Sequence, residues 1–218
     1  MELLRDPDAK LIADCRDPDS DGFEAAFEVL FKRYHERIYA IAFRVAGNQA
    51  DAMDIVQESF ALLFKKLGSF RGKSLFSTWL FRIVVNCSID HRRRNRGVNV
   101  PIQIEDPATA DQMSDESIGP PDSAVIHEVG DQVQLAISYL SPKLRVVLAL
   151  RYLEEMSYEE LAMTLEVSLG TIKSRIARAH LALEHIVRTR FPDLDITRKL
   201  DAEDEASSSA SDSIGGVG

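Results

Sequence analysis

Residues 157–183, SYEELAMTLEVSLGTIKSRIARAHLAL, constrain this chain more than any other stretch. They read as two short helices joined by a tight turn. Ser157 followed by Glu160 is a capping box, in which each side chain satisfies a backbone donor of the first helix. Leu161, Ala162 and Leu165 form its apolar side, Val167 is the residue to bury in the turn, and Ser168 can cap the second helix. In that second helix Ile172, Ile176, Ala179 and Leu183 recur at i, i+4, i+7 and i+11, a single apolar stripe. The opposite stripe carries Thr171, Ser174, Arg175 and Arg178, with Lys173 on its flank. A helix that buries one side and offers short polar and cationic side chains on the other suits the DNA major groove. Arg and Lys read guanine edges or hold phosphate, and Ser and Thr fit where the backbone comes close. The expectation is a helix-turn-helix; the plainer alternative is a helical hairpin with a solvated basic face.

The net charge of −9 argues at first against a nucleic-acid partner. Its distribution reverses that. Residues 1–22 carry −4, 23–96 carry +6, 97–130 carry −7, 131–191 carry +1 and 192–218 carry −5. Positive charge sits in one helical block and one helix, and attraction to phosphate is decided within a Debye length of roughly 8–10 Å. At 218 residues and 45% hydrophobic, the chain can bury one large core or two small ones. It contains no run of 18 apolar residues, so no membrane insertion is expected. MELLRDPDAK lacks the apolar segment of a secretory signal, and Cys15 and Cys87 are far apart without metal-type spacing. A cytoplasmic, disulfide-free protein is the expectation.

The spacing predicts an all-α chain of two small helical domains joined by a flexible acidic linker. Residues 1–22, rich in Asp and Pro, read as a loose N-terminal arm leading into a helix. Residues 23–96 form the first block, whose first helix carries Phe27, Leu30, Phe31, Tyr34, Ile38, Ile41, Ala42 and Val45 on a 3.6-residue period. Its second helix, residues 50–67, lines the core with Val56, Phe60, Leu63 and Leu67. The other side of that helix shows Asp54, Gln57, Glu58, Ala61 and Lys65, a solvated face or a dock for a basic helical partner. The loop 68–74, GSFRGKS, sets Phe70 beside Arg71 and Lys73, a mixture that can stack on an unpaired base and hold its phosphate, or serve only as a turn. The third helix, residues 75–94, has one stripe of Leu75, Trp79, Arg82, Asn86, Asp90 and Arg93; Phe76, Leu80, Ile83 and Cys87 face the core. It ends in HRRRNR (91–96), where Arg92 and Arg93 belong to a cationic cluster suited to a phosphate backbone or to solvent.

Residues 97–130 hold four prolines, seven acids and no Lys or Arg, and read as the linker. Fully extended they span at most ~110 Å, enough for the two blocks to address separate sites on one duplex. Residues 131–191 form the second block, in which Ser141 and Pro142 start a supporting helix apolar enough to be buried on most sides. Residues 192–218 form an acidic, Ser/Gly-rich tail expected to be disordered.

Three motifs together, DAMDIVQESF (51–60), FRGKSLFSTWLFRIVVN (70–86) with the Arg cluster after it, and MSYEELAMTLEVSLGTIKSRIARA (156–179), resemble the extracytoplasmic function (ECF) group of bacterial sigma factors, group IV of the principal sigma family. The resemblance covers 23–96 and 131–187, about sixty per cent of the chain, and the order of the motifs around an acidic linker is its most specific feature. It implies a transcription initiation factor whose first block is sigma domain 2 and whose second is sigma domain 4. By that resemblance Asp54, Gln57 and Glu58 contact the beta and beta-prime subunits of core RNA polymerase. Phe70, Arg71, Lys73, Trp79, Arg82, Asn86, Arg92 and Arg93 take the −10 element, with one base flipped out of the stack. Thr171, Lys173, Ser174, Arg175 and Arg178 read the −35 element. It further implies an anti-sigma factor that holds the protein inactive. The family often has Arg and a bulkier residue where this chain has Lys173 and Ala177, and Lys lacks the bidentate fork of Arg. A different −35 sequence is therefore expected.

The competing reading is an autonomous helix-turn-helix regulator binding duplex DNA as a dimer, against which the long acidic linker and the lack of a ligand domain count. Catalysis has little footing. The histidines at 35, 91, 127, 180 and 185 do not cluster with Asp, Ser or Cys at catalytic spacing, and no phosphate-binding loop, dinucleotide glycine motif or zinc pattern occurs. No cofactor, metal or small-molecule substrate is expected.

Overall fold

The computed structural model describes residues 6–17, 19–95, 129–192 and 194. All regular structure among them is helical: α1 (Ala9–Asp14), α2 (Phe23–Ala46), α3 (Gln49–Lys66), α4 (Phe76–Asn95), α5 (Val129–Ser138), α6 (Pro142–Leu153), α7 (Tyr158–Leu165) and α8 (Leu169–Arg190), with a single 3-10 turn at Leu67–Ser69. Helices α2–α4 make the first block and α5–α8 the second, and α1, from the stretch read as an arm, packs on the first. Residues 97–128 of the linker, and the acidic tail apart from Pro192 and Leu194, lie outside the described residues; α5 begins at Val129, inside the stretch read as linker.

Each boundary has a local cause. Helix α2 ends where Gly47 adopts φ 93°, the left-handed conformation that closes a helix without a Cβ clash. One residue later the Asn48 side chain accepts from the Asp51 N–H and opens α3. Ser141 and Pro142 start α6. The capping box of Ser157 and Glu160 is formed at α7, and Ser168 caps α8 through the Thr171 N–H. Between α7 and α8, Glu166 takes a left-handed φ of 55°, the bend that aims one helix across the other.

Most expected core positions are buried, among them Leu30, Tyr34, Ile38, Ile41 and Val45 of α2, Val56, Phe60 and Leu63 of α3, and Phe76, Leu80, Ile83 and Cys87 of α4; on the α2 stripe Phe27 is half-buried and Phe31 is exposed. Two features differ from expectation. The N-terminal arm is not loose. Helix α1 buries Ile12 and Cys15 against the first block, and the Asp8 carboxylate, 1% exposed, accepts from the Arg33 guanidinium and the Tyr34 hydroxyl. Burial and that neighbouring carboxylate push the Tyr34 phenol well above its ordinary value. The Asp6 carboxylate reaches the other end of the block and accepts from the Phe76 N–H at 2.5 Å, capping α4 from outside its own segment. Sequence periodicity misses this because the two aspartates act through contacts remote in the chain.

The second difference is that the two blocks share a core. Val146, Val147 and Leu150 of α6, Met156, Leu161 of α7, and Ile172 and Ile176 of α8 belong to the same apolar cluster as the interior of α1–α4. A smaller cluster joins Ala136, Leu140, Leu148, Ala179, Leu183, Val187 and Leu194.

Asp8→Ala leaves a buried hydroxyl without its acceptor and detaches α1. In urea unfolding it is expected to cost roughly 1–3 kcal/mol, whereas Asp19→Ala, on the exposed turn, stays within about 0.5 kcal/mol. Equal effects of the two would contradict a structural arm.

Candidate nucleic-acid and protein interfaces

On α3 the polar stripe emerges as expected, with Asp54 and Gln57 exposed. Glu58 does not stand free, because Arg94 from the end of α4 pairs with it at 2.6 Å. Beside them the Asp51 carboxylate accepts from His91 at 3.0 Å and Asn95 at 3.2 Å, and the Asn48 amide lies 2.9 Å from it. Burial alone would raise the Asp51 pKa; the bonds from His91, Asn48 and Asn95 outweigh it and hold the carboxyl below its ordinary value. Ligand atoms of Asp51, Asp54 and His91 lie within 4.8 Å of one another, a spacing a cation could use, but Asp51 and His91 already serve as a clasp between α3 and α4.

The stripe of α4 is placed on the outside only in part. Asn86 is exposed, which removes the difficulty of a buried amide, and Arg71 and Lys73 are exposed on the loop with Gly72 at φ 66°. Phe70, by contrast, is 7% exposed, its ring 5.8 Å from Phe76 and 5.1 Å from Trp79. The 3-10 turn at Leu67–Ser69 rolls Phe70 inward, so its faces are occupied by protein. Trp79 is half-buried on that aromatic cluster. Arg92 donates to the Val45 carbonyl at the end of α2, and Arg93 pairs with Asp90 at 3.3 Å. Arg82 turns toward the second block. Its guanidinium donates to the Thr164 carbonyl at 3.1 Å, the Met163 carbonyl at 2.6 Å and the Glu166 carboxylate at 2.5 Å.

On α8, Lys173 and Ser174 are exposed, Thr171 is held by Ser168, and Arg178 folds back on Ser174. Arg175 is half-buried, and desolvation pushes its pKa down. The first turn of α6 sets Lys143 within electrostatic reach of it; burial first, and then the Arg175 charge, lower the Lys143 pKa. A cation in the first turn of a helix opposes the helix dipole, and a second cation beside it compounds the cost. An anion bound beside both would offset these costs. Sequence reading missed Lys143, although a lysine directly after Pro142 was the available signal. No helix among the described residues is long and apolar enough to cross a membrane.

The Asp51 clasp has a pH signature. A depressed folded-state pKa adds stability that is present above the ordinary value of 3.8 and lost as pH falls through the folded value. The wild-type chain is therefore expected to lose more stability than Asp51→Asn between about pH 5 and pH 3 in urea titrations. Parallel pH profiles would remove the clasp.

Residues 30–98 match the family model of Sigma-70 region 2, and residues 130–183 match that of Sigma-70, region 4. The chain is 33% identical over 167 residues to the RNA polymerase sigma-H factor of Pseudomonas aeruginosa, covering 75% of this chain and 86% of that protein. It is 33% identical over 172 residues to the ECF RNA polymerase sigma factor SigW of Bacillus subtilis, covering 77% and 91%. The same identity and length hold for the ECF RNA polymerase sigma-E factor of Escherichia coli K12, covering 77% and 89%. Among solved structures, CnrH in complex with the cytosolic domain of CnrY matches with a TM-score of 0.59 at 22% identity, over 84% of this chain and 98% of that one. The sigma factor RpoE in complex with the anti-sigma factor NepR, from Bartonella quintana, matches with a TM-score of 0.54 at 24% identity, over 75% and 98%.

Proposed function

The chain belongs to the ECF sigma factors of bacterial RNA polymerase, and from that membership we propose how its surfaces divide the work of initiation. It is a transcription initiation factor whose partners are core RNA polymerase and promoter DNA. The observation that carries this is the ordered pair of region matches, one on each helical block, with the polar stripe of α8 turned outward. An autonomous dimeric regulator would not need the first block, and that reading is set aside.

The α3 face docks on the beta and beta-prime subunits through Asp54, Gln57 and Glu58, and the site of action is the cytoplasm. This assignment is supported by the exposure of Asp54 and Gln57; Glu58 joins them once Arg94 is drawn to another anion. The −10 element is taken by Arg71, Lys73, Arg82, Asn86, Arg92 and Arg93 with Trp79 at the edge of the melted duplex. Phe70, buried as it is, acts by stiffening the loop that presents Arg71 and Lys73, or swings out when a flipped base replaces Trp79 against it. The −35 element is read by Lys173, Ser174, Arg175 and Arg178, with Thr171 fixing the start of α8. Lys143 joins that surface as a phosphate anchor, because an anion between it and Arg175 relieves two unfavourable charges at once. An anti-sigma factor restrains the protein, a reading supported by the RpoE–NepR complex of the same fold.

Two measurements follow. Asp54→Arg is expected to lower co-purification with core polymerase at least tenfold while leaving the helical circular-dichroism signal unchanged; undiminished association removes the α3 dock. Lys143→Ala is expected to weaken holoenzyme binding similarly on all promoter sequences and to lower the salt slope by about 1, whereas Arg178→Ala changes which −35 sequence is preferred. An unchanged slope for Lys143→Ala excludes the anchor.

A further inference from the structure

We propose that the N-terminal arm, residues 6–16, is a positioning brace for the loop 68–75, and that Asp6 is the residue through which it holds that loop in the shape that takes the −10 strand. The inference rests on the reading above that Arg71 and Lys73 serve the −10 element, and it gives a part to a segment which that reading leaves without one.

The loop does not hold its own exit. Phe76 is the first residue of α4, and Leu75 before it has no side-chain acceptor for the N–H groups that a helix start leaves open. Asp6, 70 residues away, supplies one: its Oδ2 accepts the Phe76 N–H at 2.5 Å, with its charge at the favourable end of the helix dipole. The same carboxylate is fixed from behind. Its Oδ1 accepts the Asp8 N–H at 2.9 Å, and Asp8, 1% exposed, is anchored on Arg33 and Tyr34 of α2. A carboxylate held at both oxygens is a fixed stop for the start of α4.

The entrance of the loop meets the other end of the arm. Helix α1 ends at Cys15, and the Arg16 carbonyl lies against Gly68, where a Cβ would stand 3.7 Å from it. Ile12 and Cys15 of the arm share one apolar cluster with Leu67, Phe70 and Phe76. The arm therefore supports the chain before the loop and again at Phe76, and the stretch between carries the exposed Arg71 and Lys73. Within that stretch the side-chain hydrogen bond among the described residues is local, from Ser74 to the Leu75 carbonyl at 3.3 Å, and Gly72 holds a φ of 66°. Such a loop takes its course from its ends. Fixing both in advance removes part of the ordering cost of gripping a strand.

The sign of one substitution separates a brace from a simple charge. As a bare anion near a phosphate-binding loop, Asp6 would repel the strand, and its removal would tighten binding. As a brace, its removal loosens the loop and weakens binding. The test uses the full chain assembled with core polymerase and measures affinity for a single-stranded −10 non-template oligonucleotide. Asp6→Ala is expected to weaken it about tenfold while affinity for core stays within about twofold. Asp6→Asn keeps an acceptor for the Phe76 N–H and is expected to stay within about threefold of wild type. In a background of Arg71→Ala with Lys73→Ala, Asp6→Ala is expected to add less than about twofold, because the groups it positions are gone. Oligonucleotide affinity that is unchanged or raised in Asp6→Ala, or an equal loss of core and oligonucleotide binding, overturns the brace while the sigma assignment stands. A wild-type holoenzyme that does not hold the oligonucleotide removes the −10 assignment of the loop and the brace with it.

Discussion

The end of α2 is the point on which the rest of the molecule depends. A helix C-terminus concentrates unsatisfied carbonyls and partial negative charge. Here that charge is met by guanidinium groups arriving from two directions. Arg92 returns from α4 and Arg145 crosses from α6, and both donate to the Val45 carbonyl. Gly47 supplies the left-handed φ that ends α2 at this junction, a conformation that would strain any other residue; a Cβ there would make only ordinary contact, 3.9 Å from Arg145 Nη1. Arg145 is 1% exposed and also closes the turn between α5 and α6 through the Ser138 and Leu140 carbonyls. Hydrogen bonds to a charged donor contribute about 1.5–3 kcal/mol each, and loss of the donor would strand several carbonyls together.

From that junction the placement of the functional surfaces follows. Docking α6 on α2 brings α7 against α4, and α7 receives Arg82. The α8 stripe and the α3 stripe face away from the junction and stay accessible. The polar stripes of α3 and α8 are thus accessible, whereas the α4 stripe is partly engaged through Arg82.

Much of this was legible in the sequence, and the reasons for the remainder are physical. Helical periods, caps and the turn before α8 are local, so the capping box at Ser157, the Asn48 and Ser168 caps and the core stripes of α2 to α4 emerge where the spacing puts them. Asp8, Arg145 and Arg82 act on partners 26, 100 and 82 residues away, and no local period reports such contacts. An Arg inside an otherwise apolar run was the single visible sign of Arg145, and it reads equally well as a solvated edge. The burial of Phe70 was hidden for a related reason. An aromatic in a Gly-containing loop looks available, but the 3-10 turn before it decides whether the ring faces solvent or the Phe76–Trp79 cluster. The two blocks were foreseen; their shared core was not, because apolar stripes on α2 and α6 are satisfied equally by partners within each block.

The account is tested most directly by run-off transcription with purified core RNA polymerase, with and without this protein, on a library of promoter fragments. It predicts specific transcripts only when the protein is present, from fragments sharing two elements at a fixed spacing. Absence of transcripts and of core binding, together with tight sequence-specific binding of the protein alone to duplex DNA, would contradict it.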